Sequence, residues 1–266
     1  MRKIILAAVL LAATFSAKAW NTAYDKAVYL VAAQNYTPKT LRLVQYYVHE
    51  DVAKASNHLA WHRKNGRHLE TAGWHKLHLD ASLQPAAVDE NDAYVQIEKA
   101  LEIIRNRKNH DEAVVKLAVH TVMNLVVDMH NLSNVVIEDI PLSHLDDFKV
   151  GTSKGTANGK VAKITPYSWK SLWTHRYVTY HGAYSPQMWA KDITIMFGDK
   201  KDEFSKGTLK DWSHDIGTYT KEVYGVLEAG NGQFLHATIQ KHEELHMSCL
   251  ARAAYRIAVL LNENLQ

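Results

Sequence analysis

Apolar residues recur at helical spacing along most of the chain. Thr37-Pro38 reads as an N-cap and first helical position ahead of Leu41, Val44 and Val48. Asp92 precedes Tyr94, Ile97, Leu101 and Ile104, which repeat every three to four positions and so line one helix face. Asp111 opens the run Val114, Leu117, Ala118, Val122, Leu125. That run is apolar on more than half its circumference and predicts a buried central helix. Thr165-Pro166 and Ser185-Pro186 repeat the cap-then-proline start, Thr208 opens a further segment, and Phe234 to Leu265 reads as one long final helix. Asp146 to Lys163, with Gly151, Gly155 and Gly159, is the one long polar stretch and reads as a loop. The pattern predicts an all-α fold in a single multi-helix domain.

The first nineteen residues stand apart from this pattern. Arg2 and Lys3 precede an apolar run from Ile4 to Phe15, and Ala17-Lys18-Ala19 supplies a small-x-small cleavage signature. A dozen apolar residues are too few for a helix across a hydrocarbon core about 30 Å thick. Residues 1–19 are therefore expected to be a signal peptide and 20–266 the domain. The protein is then exported, to a periplasm or beyond the cell, without a membrane anchor.

Composition changes the picture in three places. The whole chain carries a formal charge of +3. Removing Arg2, Lys3 and Lys18 from the 31 basic residues leaves 28, against 28 acidic ones. A neutral chain has no general pull on nucleic acid, so such binding needs a local site. The single cysteine, Cys249, excludes an intrachain disulfide framework and a cysteine-rich zinc module. Histidine, at 16 residues, is the unusual count, and its imidazole is the commonest metal ligand.

Eight of the sixteen histidines lie in three suggestive stretches. His242-Glu243-Glu244-Leu245-His246 places two imidazoles one helical turn apart with Glu243 as a general base, the pattern of zinc metalloproteases. The same histidines also lie on the apolar stripe Leu235, Ile239, Cys249, Ala253, Ile257, which reads as helix packing, and only Glu263 follows as an acidic third ligand. On the central helix His120, Asn124 and Asp128 share one face, and a carboxylate buried there must be paired, protonated or metal-bound. Finally, Trp74-His75-Lys76-Leu77-His78-Leu79-Asp80 holds two histidines and an acid, with His58, Trp61, His62 and His68 upstream. This density suits a metal or anion site.

Trp20, directly after the expected cleavage point, gives these fragments an order. It leads to Ala32-Ala33-Gln34-Asn35-Tyr36-Thr37-Pro38, then Ala55 to Trp61, Trp74-His75, Asp128-Met129-His130-Asn131-Leu132-Ser133-Asn134, Leu172-Trp173 and Ala254 to Asn262. In this order the chain resembles the zinc-dependent nucleases of the S-one/P-one type, whose fold is shared with bacterial zinc phospholipase C. The resemblance is colinear over most of the mature chain. It implies the all-α fold and zinc-dependent hydrolysis of phosphodiester bonds in single-stranded nucleic acids or nucleotides. It also implies a mature N-terminal tryptophan that ligates zinc through its amine and carbonyl.

The same resemblance implies nine ligands for three zinc ions, and most of those positions are substituted. Trp20 and Asp128 match, Asp25 stands where the family has a histidine, and the next histidine is His75, or His78 in a shifted register. Asn124 and Asn134 replace histidines, Arg63 falls on an acid, and Lys170 and Thr174 fall on the last histidine–acid pair. Neutral amides suit zinc poorly, and a cation repels it at short range. Arg63 and Lys170 are instead suited to a phosphate or carboxylate. The expected metal residues are thus Trp20, Asp25, His75 or His78, and Asp128, with Arg63 and Lys170 as anion ligands. Three functions remain open: an impaired or non-catalytic nuclease-like protein, an active zinc phosphodiesterase with a different ligand register, and a protease using His242, Glu243 and His246.

Overall fold

Side-chain caps start the helices at most of the predicted points. The computed structural model describes residues 22–56, 58–86, 90–138, 140, 150–152, 165–167, 173–174, 184–229 and 236–266. Helix α1 (Thr22–Gln34) is followed by α2 (Pro38–Tyr47), whose first free amide, Thr40, is capped by the Thr37 hydroxyl at 3.1 Å. Helix α3 (His58–Lys64) is short. Asp92 caps α4 (Ala93–Arg105), and Asp111 stands at the N-cap of α5 (Glu112–Met129). Ser185 caps α6 (Pro186–Phe197) as its proline predicts. The remaining helices are α7 (Lys201–Ser205), α8 (Leu209–Ala229) and α9 (His236–Asn264). The fold is predominantly α-helical, a single domain.

Helix α5 is the core element. From Ala118 to Met129 every residue is buried. It packs along α4 and touches α1, α2, α3 and α9, which leaves none of its second half to solvent. Helix α1 fills the space between α6 and α9 through Tyr24, Ala27, Val28 and Val31. Asn262 near the end of α9 closes this layer: its amide oxygen accepts the Thr37 backbone N–H at 2.9 Å, and its amide nitrogen donates to the Asn35 carbonyl at 3.0 Å. No helix among the described residues is long and apolar enough to cross a membrane.

Two features depart from the sequence expectation. Thr165-Pro166 does not open a helix; Thr165–Tyr167 is strand β4, paired antiparallel with β3 (Val150–Thr152), with Pro166 opposite Gly151. A two-stranded ladder is all edge, so a residue without an N–H is accommodated there. Part of the expected polar loop is therefore strand. The second departure is a parallel pair of β1 (Leu77–Leu79) and β2 (Val135–Ile137), in register Leu77 with Val135. Asp92 welds β1 to α4. One carboxylate oxygen takes the Tyr94 amide at 2.8 Å, and the other takes the His78 amide at 2.8 Å and the His78 ring at 2.9 Å.

A buried guanidinium joins α5, α8 and α9. Arg256 is 1% exposed and donates to the Phe204 carbonyl (3.0 Å), the Asp215 carboxylate (2.6 Å) and the His130 ring Nε2 (3.0 Å). His130 Nδ1 donates to the Val126 carbonyl at 2.7 Å, so Nε2 carries the lone pair that Arg256 needs. Burial first, then the Arg256 charge, holds His130 neutral, its pKa well below the usual histidine range. Replacing Arg256 with Ala strands His130 and leaves a void. The loss is expected to be on the order of 2–4 kcal/mol, moderated because Asp215 is partly exposed. Urea unfolding of the variant beside the parent checks it.

Candidate metal and anion site

Three of the five expected metal residues meet in the core. Asp25 comes from the first turn of α1, His75 from the turn before β1, and Asp128 from the last turn of α5. All three are buried, at 5%, 6% and 2% exposure. His75 Nδ1 lies 2.5 Å from Asp128 Oδ2. Asp128 in turn raises the pKa of Asp25 by charge repulsion, on top of a larger effect of burial. Burial, then Asp25 and Asp128, likewise raise the Tyr29 phenol, which places that ring beside the two acids. Trp20 and Lys170 lie outside the described residues.

The turn after α5 supports Asp128. The Asn134 amide donates to the Asp128 backbone carbonyl at 3.2 Å, and the Asn131 N–H donates to the same oxygen at 3.1 Å. Asn124 donates within its own helix, to the His120 carbonyl at 2.9 Å. Both amides that the resemblance sets at histidine positions therefore have backbone tasks. Arg63 donates to the Thr71 hydroxyl at 2.8 Å; burial lowers its pKa while the Asp128 charge raises it. A guanidinium thus stands within electrostatic reach of the acids.

His78 does not join this group. Its ring and backbone amide both bond Asp92, so of the two registers His75 is the partner of Asp128. His242 and His246 are buried elsewhere, on α9. His246 Nε2 sits 3.0 Å from the Trp173 carbonyl, with its ring against Tyr24 and Trp173. Sequence reasoning missed Tyr29 and Thr71. Tyr29 had a signal, since it stands one helical turn after Asp25 on α1. Thr71 had none, because its contact with Arg63 depends on the 3-10 turn at Leu69–Gly73.

Two buried atoms in the cluster have no hydrogen-bond partner: Asp25 Oδ1 and His75 Nε2. A carboxylate oxygen and an imidazole nitrogen are zinc donors. With Nδ1 held by Asp128, the other His75 nitrogen is the one left for an ion, the usual carboxylate–histidine–metal arrangement. Asp25, His75 and Asp128 are donor types that a divalent cation takes. They do not suit the nine-ligand, three-zinc set, because Asn124 and Asn134 donate to carbonyls and Arg63 holds a positive charge. Among the described residues no group of three or more His, Cys, Asp or Glu side chains is placed so that it could hold a metal ion.

Asp25 makes stability depend on pH in metal-free protein. Its folded pKa lies above the unfolded carboxylate value of about 3.9. Its contribution is therefore full below that unfolded value and is lost as pH rises through the folded one. Asp25→Asn is expected to raise the unfolding midpoint at neutral pH in chelator, with the gap to the parent closing as the solution is acidified. Thermal unfolding across pH in EDTA measures this.

Compared with models of known protein families and with characterised proteins, the chain matches none, so its function has to be read from these residues.

Proposed function

We propose that this chain is an exported protein of the S-one/P-one nuclease type whose three-zinc centre has eroded to a site for one divalent cation. It binds the phosphate of single-stranded nucleic acids or nucleotides, with hydrolysis weakened or lost. The observation that carries this reading is the meeting of Asp25, His75 and Asp128. They lie far apart in the sequence, each at a position the resemblance marks, and they share one buried cluster with two unpartnered donor atoms. Asp25, His75 and Asp128 would hold the ion, together with the amine of Trp20.

A bound zinc supplies positive charge to a phosphoryl oxygen and lowers the pKa of a bound water. The protein's own groups do the rest. His75 is oriented by Asp128, Asn134 fixes the turn that carries Asp128, and Arg63 offers a planar cation to a phosphate beside the acids. Only two carboxylates and one imidazole are available where the family uses nine ligands, and this favours binding over turnover. The protease alternative is less supported, since the His246 ring nitrogen is directed at the Trp173 carbonyl.

Zinc content of the mature protein, exported so that Trp20 keeps a free amine, tests the proposal. At most one ion is expected at this site, and Asp128→Asn is expected to weaken it roughly 10- to 100-fold. Arg63→Ala is expected to weaken nucleotide binding while leaving zinc in place. Three tightly held ions with chelator-sensitive cleavage of single-stranded DNA would instead establish the active phosphodiesterase.

A further inference from the structure

Four histidines that the proposed function does not use meet beside α3 and α5. His58 and His62 lie one turn apart on α3, His120 comes from α5, and His68 follows α3 with a left-handed φ of 50°. The His58 and His120 rings are stacked, 3° from parallel, with centroids 3.3 Å apart. His62 is 4.3 Å from His58 and 5.3 Å from His68 by the same measure. His120 is 1% exposed, and neither of its ring nitrogens has a hydrogen-bond partner; His62 Nδ1 is in the same condition. A core histidine kept for packing alone ordinarily satisfies at least one ring nitrogen, as His130 does.

We propose that His58, His62, His68 and His120 form a second site, for one divalent transition-metal ion of the zinc, nickel or copper class. An all-imidazole donor set selects such ions over calcium or magnesium. A metal takes the lone pair of one nitrogen on each ring and leaves the other as an N–H. Burial, followed by the neighbouring histidines and Lys116, keeps the imidazoles in the neutral form that ligates: His58 is pushed down to about 4 and His120 to about 2.

The spacing tells which rings must move. Zinc–nitrogen bonds of about 2.0–2.1 Å put the centroids of two ligating imidazoles roughly 5 Å apart. His62 and His68 already stand at that separation. As placed, no three of these side chains could hold a metal ion, because parallel stacked rings cannot aim lone pairs at one point; His58 has to turn out of its stack on His120 for three rings to converge. His58 is only partly buried and can rotate from the surface side. His68 is prepared already: its Nδ1 lies 3.2 Å from Glu70 Oε1, which leaves Nε2 for the ion. Lys116 and Arg67 oppose a cation, but Lys116 is exposed and water screens it. His120 precedes Asp128 by two helical turns, about 12 Å along α5, so the two sites take separate ions.

The site is tested by titrating the full-length mature protein with zinc and then with cobalt(II), whose visible absorption reports nitrogen ligands. His62→Ala and the pair His58→Ala/His62→Ala are on partly exposed positions, and circular dichroism confirms their folding. These variants are expected to lose one equivalent of metal, or bind it at least tenfold more weakly. Asp128→Asn is expected to keep that equivalent, which separates this site from the Asp25–His75–Asp128 cluster. Lys116→Gln is expected to tighten it. The proposal is overturned if the parent takes up no metal that Asp128→Asn retains, or if the double histidine variant binds with unchanged stoichiometry and affinity.

Discussion

A helix segment buried on every side cannot carry polar side chains without cost, and the second half of α5 carries a row of them. His120, Asn124 and Asp128 follow one another along a single face, and His130 closes the C-terminal end. Each group has to find a partner inside the protein, since water is excluded. Asn124 turns back on its own helix, His130 is held by Arg256 from α9, and Asp128 takes His75. His120 takes nothing. Much of the rest of the structure is arranged around these answers: β1 and its preceding turn deliver His75, and α9 is locked in register by the Arg256 clamp.

The two candidate sites follow from the answers that are incomplete. Around Asp128, two carboxylates lie close enough to repel each other, and one imidazole bonds only one of them. A cation or a proton would relieve that repulsion. Arg63 already supplies part of the positive charge that Asp128 faces. Around His120, by contrast, there is no charge to neutralise, only lone pairs and N–H groups without partners. On the proposals made above, the first site would take a phosphate-bearing ligand beside a single ion, and the second a borderline metal alone.

Local signals in the sequence were read well, and non-local ones poorly. Thr37-Pro38, Ser185-Pro186 and Asp92 start helices because a cap and a fixed φ act within one turn, without help from the fold. Thr165-Pro166 carries the same letters and lies in a strand, because pairing with Val150–Thr152 overrides the local preference. The three-residue strands β1 and β2 are too short to show an alternation. Asp25 and Asp128 were chosen from the resemblance, and their proximity is a property of how α1 crosses α5. Arg256 and His130 are over a hundred residues apart, and neither residue type alone signals a buried clamp. His78 illustrates the reverse limit: nothing in the spacing told it from His75, and only the bond to Asp92 separates them.

The parallel pairing of β1 with β2 also bears on the order of folding. Its partners stand roughly sixty positions apart, with the whole α4–α5 hairpin between them. That hairpin is local and can form early, whereas the strand pair closes only once both ends have been brought round. His75 lies two positions before one strand and Asn134 immediately precedes the other. The residues around Asp128 thus depend on a long-range strand closure as well as on the local hairpin. A nascent chain would carry its helical hairpin well before it had anywhere to put a ligand.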